Sequence, residues 1–110
     1  MDTDGTDVYL NYYNDTVRSQ LWTYDSNKNF VNTQYNKVLD SNGNGVVYLK
    51  PKTAANNYQR WTQYTVNFNS KTAYRFRNIQ TDLVLDYNLA QYALGATNSF
   101  YTLDPNFIFV

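Results

Sequence analysis

Gln20-Leu21-Trp22-Thr23 and Gln59-Arg60-Trp61-Thr62 decide how this chain is read. An amide and an indole two positions apart recur after 39 residues, and the same shift lays Val8-Tyr9-Leu10 on Val47-Tyr48-Leu49. A shift of 46 lays Phe30, Asn32 and Gln34 on Phe76, Asn78 and Gln80, and Val38-Leu39-Asp40 on Val84-Leu85-Asp86. It also carries Trp61 onto Phe107. Trp occurs only 2 times in the chain, so its recurrence at constant spacing marks an internal repeat. The copies span about 1–24, 25–70 and 71–110 of a single 110-residue domain.

The middle copy shows what each unit is. Four short stretches suit strands: 29–33, 37–40, 46–50 and 60–66. Turn-forming runs separate them, first Asp40-Ser41-Asn42-Gly43-Asn44-Gly45 and then Pro51 to Asn57. Period-two alternation puts Val47 and Leu49 on one face and Tyr48 and Lys50 on the other. In the first copy Val8 and Leu10 oppose Tyr9 and Asn11 in the same way. The Val/Leu face is the expected core. Tyr, Thr, Val and Phe are plentiful and favour strands. Good helix formers are scarce, with no Glu and one Met. The expected class is all-β, a sandwich or a barrel.

Composition narrows the chemistry further. A mean hydropathy of −0.64 could suit a disordered chain, but 43% hydrophobic and 18% aromatic content provides a core. With no His and no Cys there is no Ser-His-Asp triad, no Cys-His dyad, no ordinary zinc site and no disulfide framework. The nine Lys and Arg are scattered and balanced by nine Asp, which speaks against a nucleic-acid partner. No apolar run approaches the ~20 residues of a membrane span. Asp40 and Asp86 could in principle act as a glycosidase pair, but they occupy equivalent places in different repeats, which speaks against a shared site. No enzyme, cofactor or metal is expected.

A threefold repeat of about forty residues with Gln-x-Trp near the end of each unit resembles the ricin B-type lectin family. The pattern covers nearly the whole chain. Two copies keep the motif, and the third departs from it with Pro105-Asn106-Phe107. The resemblance implies a β-trefoil: three units of four strands about a pseudo-threefold axis. It implies that Gln20, Trp22, Gln59, Trp61 and Phe107 are structural, Trp filling the core and Gln tying the repeat together. It also implies a carbohydrate site in each copy, made of an Asp after the second strand, an aromatic on the outer face of the third, and a polar pair near the Gln-x-Trp motif. A sugar ring needs one flat apolar surface and several planar polar groups.

Residue by residue, Asp40 and Asp86 match the Asp position, and Asn57 and Gln59 match the polar pair. Lys50 stands at the aromatic position of the second copy, with Tyr48 two residues earlier on the same face. In the third copy that position falls near Ala96, with Tyr92 as the substitute. In the first copy it falls at Asn11, and the Asp position falls at Met1. The second copy is the better candidate, and no copy is intact. Asp also favours turns by itself, and Tyr48 and Tyr9 also suit half-exposed strand positions with no ligand.

Two further motifs have ordinary readings. Asp2-Thr3-Asp4-Gly5-Thr6-Asp7 has the look of a calcium loop but has Tyr13 where an EF-hand needs a bidentate Glu. The repeat instead makes it a turn between strands. Asn14-Asp15-Thr16 is an N-glycosylation sequon, relevant only in a secreted protein.

The resemblance implies a non-catalytic module that binds glycans or glycoproteins and targets a partner domain, such as a toxin, to a carbohydrate surface, in an extracellular or secreted setting. The alternative is a protein-interaction or protease-inhibitor trefoil with decayed sugar sites. The first copy starts late, its first two strands missing. The expectation is therefore attachment to a larger protein or closure of the open edges in a homodimer.

Overall fold

In a computed structural model, residues 1–9, 11–44, 46–68, 70–87 and 101–104 are described, and they form strands with no α-helix among them. β1 (Asp2–Thr3) pairs antiparallel with β2 (Val8–Tyr9). A four-stranded antiparallel sheet contains β3 (Trp22–Tyr24), β4 (Phe30–Asn32), β5 (Val38–Ser41) and β6 (Val47–Lys50) in sequence order. A second contains β7 (Trp61–Phe68), β8 (Lys71–Asn78), β9 (Val84–Tyr87) and β10 (Tyr101–Asp104). The all-β expectation holds, and the four strands expected of the middle copy are β4, β5, β6 and β7. The last is longer than expected because β7 and β8 form a hairpin paired from Trp61↔Asn78 to Phe68↔Lys71.

The repeat is visible atom by atom. Asn32 Nδ2 donates to the Ser19 carbonyl at 2.9 Å, and Asn78 Nδ2 donates to the Tyr58 carbonyl at 2.8 Å. Asn32 Oδ1 accepts from the amides of Gln34 and Tyr35, and Asn78 Oδ1 from those of Gln80 and Thr81. Each Asn thereby closes its turn and ties it to the preceding unit. Both turns pass through a left-handed residue, Asn36 at φ 51° and Asp82 at φ 59°. Asn and Asp tolerate that region better than other side chains.

One core draws on all three copies, with Val8, Phe30, Leu39, Val47, Leu49, Trp61 and Leu85 buried together. Val8 and Val47 are repeat mates, as are Leu39 and Leu85. Met1, Trp22, Tyr24 and Phe76 pack against this cluster. Along β6 the alternation is as expected: Val47 and Leu49 buried, Tyr48 half-buried, Lys50 exposed. Phe30 and Phe76, mates under the 46-residue shift, meet edge-on with ring centroids 4.8 Å apart. No described helix is long and apolar enough to cross a membrane.

Candidate functional site

Each Gln-x-Trp stretch begins with a single 3₁₀ turn, Arg18–Gln20 in one copy and Asn57–Gln59 in the other. The turn ends on an extended residue, Leu21 or Arg60, which leads into the strand that begins with Trp. This turn-to-strand switch places amide and indole on a common target. Gln59 Nε2 donates to Asp40 Oδ2 at 3.1 Å and to the Pro51 carbonyl at 3.0 Å, and Gln59 Oε1 accepts from the Thr53 amide at 2.9 Å. Trp61 Nε1 donates to the carbonyl of Leu39, the residue before Asp40, at 3.2 Å.

The first copy repeats this frame. Gln20 Nε2 donates to Asp2 Oδ2 at 3.3 Å and to the Tyr12 carbonyl at 2.7 Å, and Gln20 Oε1 accepts from the Asn14 amide at 2.7 Å. Trp22 Nε1 donates to the Met1 carbonyl at 3.1 Å. The partner of Asp40 in the first copy is therefore Asp2, whereas the constant 39-residue shift points to Met1. The turn in between is one residue shorter, since Asp2 to Val8 spans six steps and Asp40 to Val47 seven. A search allowing one deletion in that turn would find Asp2.

The acidic stretch at the start is likewise used internally. Asp4 Oδ1 accepts from the amides of Thr6 and Asp7, as Asn42 Oδ1 accepts from those of Asn44 and Val46. Burial acts to raise the pKa of Asp2. Hydrogen bonds from the side chains of Ser19, Asn11 and Gln20 and from the Thr3 amide outweigh it and hold the carboxyl below its ordinary value.

Of the expected sugar-contacting residues, Asp40, Tyr48, Lys50 and Gln59 come together. Asp40 pairs across the β5–β6 ladder with Tyr48, and the Lys50 ammonium sits 5.5 Å from the Tyr48 ring centroid. Tyr48 Oη donates to the Ser41 carbonyl at 3.0 Å, which fixes the ring. Asp40 is only 7% exposed, and its two oxygens accept from the Ser41 amide and from Gln59. Gln59 is more deeply buried still. These two groups frame the patch from below, while Tyr48 and Lys50 reach its surface. Asn57 is half-buried, and its Oδ1 accepts from Arg60 at 3.3 Å.

In the third copy, Asp86 pairs across β9–β10 with Thr102. Sixteen steps separate Asp86 from Thr102, against eight from Asp40 to Tyr48, so the connection is longer by eight. By this register Asp104, opposite Val84, takes the place of Lys50, opposite Val38. Ala96, which the constant shift gives for the third-copy aromatic position, lies outside the described residues. Tyr92 and Phe107 lie outside the described residues.

Sequence reasoning passed over several exposed aromatics and two depressions. Tyr12 and Tyr13, 72% and 84% exposed, follow directly on Asn11, whose Nδ2 donates to Asp2 at 2.9 Å. A depression of about 290 Å³ is lined by Ser26, Asn27, Lys28, Arg60 and Ile79. Another of about 360 Å³ is lined by Tyr64, Thr65, Arg75 and Arg77. The signal of the second depression is the two-residue spacing of Arg75 and Arg77 on one strand, which does not stand out in a chain of balanced charge. Compared with models of protein families the chain matches none, and no curated protein matches it either.

Proposed function

We propose that the chain is a β-trefoil of ricin B-lectin type that binds glycan without catalysis. The observation that carries this reading is the repeated frame of carboxylate, Gln amide and Trp indole, Asp2–Gln20–Trp22 and Asp40–Gln59–Trp61, at matching distances. The contact between Phe30 and Phe76 supports an axis relating the units. Beside each frame stand aromatic side chains with accessible surface, Tyr48 in the second copy and Tyr12 and Tyr13 in the first. Together they offer a sugar a flat apolar surface with polar groups nearby. Single sites of this kind are shallow, so useful avidity needs several sites or several chains. Targeting of an attached domain or assembly to a glycan surface, outside the cell, is the role that fits.

The burial of Asp40 favours a second reading, a protein-interaction or inhibitor trefoil in which the frame has only a structural use. A glycan array with the native chain, Tyr48→Ala and a Tyr12→Ala/Tyr13→Ala double variant separates the two. Tyr12 and Tyr13 are exposed and Tyr48 is half-buried, so each variant goes to the array once its circular dichroism matches that of the native chain. Glycan signal that falls in either variant supports the lectin reading. No signal with the native chain, or signal equal in all three, sinks it.

A further inference from the structure

The outer face of the β7–β8 hairpin carries a feature that the Gln-x-Trp frame does not use. Phe76 packs toward the core, so alternation along β8 puts Arg75 and Arg77 together on the opposite face. Tyr64 is the ladder partner of Arg75 and therefore shares that face. These three side chains and Thr65 line the depression of about 360 Å³.

The two arginines are not equivalent. Arg77 is anchored: it donates to the Asp82 carbonyl, lies 3.7 Å from Asp82 Oδ1, and sets its guanidinium 5.9 Å from the Tyr64 ring centroid. Arg75 has no hydrogen-bond or ion-pair partner among the described residues, and its Nε is buried without an acceptor. A guanidinium presents five donors in a planar fork that a carboxylate matches with two parallel bonds. Leaving such a group half-buried and unpaired is costly, and an incoming anion removes that cost. Tyr64 is 43% exposed and adds an aromatic surface at the rim.

We propose that Arg75, Arg77, Tyr64 and Thr65 form a binding site for a carboxylate carried on a sugar ring, that is, for an acidic glycan residue. Arg75 supplies the bidentate contact, Arg77 a fixed second positive charge, and Tyr64 the surface against which the ring lies. The inference rests on the glycan-binding reading but uses a different face from the Tyr48 patch, and so makes its own prediction.

The test is titration of the full chain with glucuronic acid, glucose and acetate, followed by ¹H–¹⁵N spectra that include the arginine Nε–Hε signals. Glucuronic acid is expected to shift the Arg75 Nε–Hε signal, to bind about tenfold or more tighter than glucose, and to bind tighter than acetate. Arg75→Gln is expected to lose at least about tenfold in affinity. Arg75→Lys is expected to recover little of it, because an ammonium lacks the fork. Should Arg75→Gln not fold, the wild-type signal and Arg75→Lys decide. Glucuronic acid binding no tighter than glucose or acetate, or affinity unchanged in Arg75→Lys, overturns the site. If neutral glycans still register on the array, the lectin reading survives that failure. If nothing binds in either experiment, both fall.

Discussion

Gln59 shows how one side chain holds a repeat together. Its amide makes bonds to Asp40, Pro51 and Thr53 while almost wholly buried. Gln59→Ala leaves a buried carboxylate oxygen, a carbonyl and an amide without that partner, and should cost about 2–4 kcal/mol. Gln20 makes the same set of bonds nearer the surface, where water can replace it, so Gln20→Ala should cost about 1 kcal/mol. Urea denaturation of the two variants checks the order, and equal losses would mean that burial does not set the difference. Gly5 is the other residue with no substitute. Its φ of 99° is strained for any side chain, and a Cβ there would stand 2.9 Å from the Tyr35 ring. Gly5→Ala should lower stability by about 1–3 kcal/mol in the same assay. It should do so without touching the second-copy frame, visible as unchanged amide signals for Asp40 and Gln59.

At the scale of elements, the repeated unit is a turn anchored by Asn and docked on a 3₁₀ turn. Asn78 closes the β8–β9 turn with Oδ1 and reaches across to the Tyr58 carbonyl with Nδ2. Asn78→Asp keeps the acceptor and loses the cross-link, while Asn78→Ala loses both. Both should destabilise, Asn78→Ala by about 2–3 kcal/mol. Hydrogen exchange locates the effect: in Asn78→Asp the amides of Gln80 and Thr81 should stay protected, and in Asn78→Ala they should exchange quickly. Rapid exchange in both would show that the turn depends on the docking bond rather than on its own cap. The repeat comparison singled out Asn32 and Asn78 as identities, but the docking partners Ser19 and Tyr58 became apparent only in the fold. A hydrogen bond between residues twenty positions apart leaves no local pattern in the chain.

At the scale of the whole molecule, two carboxylates tie distant parts of the chain and make stability depend on pH. Burial acts to raise both Asp2 and Asp25, and in each case hydrogen bonds prevail and hold the pKa below the ordinary 3.8, Asp25 being helped by Lys52. A depressed carboxyl binds fewer protons in the folded state than in the unfolded one. Its contribution is complete above the unfolded value and is lost as pH falls through the folded one. The urea midpoint should therefore stay level as pH falls toward 3.8 with respect to these two groups, and decline below it. The decline should be shallower in Asp2→Asn. A slope unchanged in that variant would remove Asp2 as a cause.

What the chain's own pattern determined is the repeat, the strand class and the core. Side-chain alternation and the spacing of Trp are local properties, and they predict the buried faces of β6 and the pairs Val8/Val47 and Leu39/Leu85. What only tertiary structure decided is how those units are used. A constant shift cannot register a turn shortened by one residue or a connection lengthened by eight, so only the fold shows Asp2 in place of Met1 and Tyr101–Asp104 paired with β9. Burial is a property of everything packed around a group. It made Asp40 a partner of Gln59 below the surface, and left the Arg75 guanidinium unpaired among the described residues of an outer face.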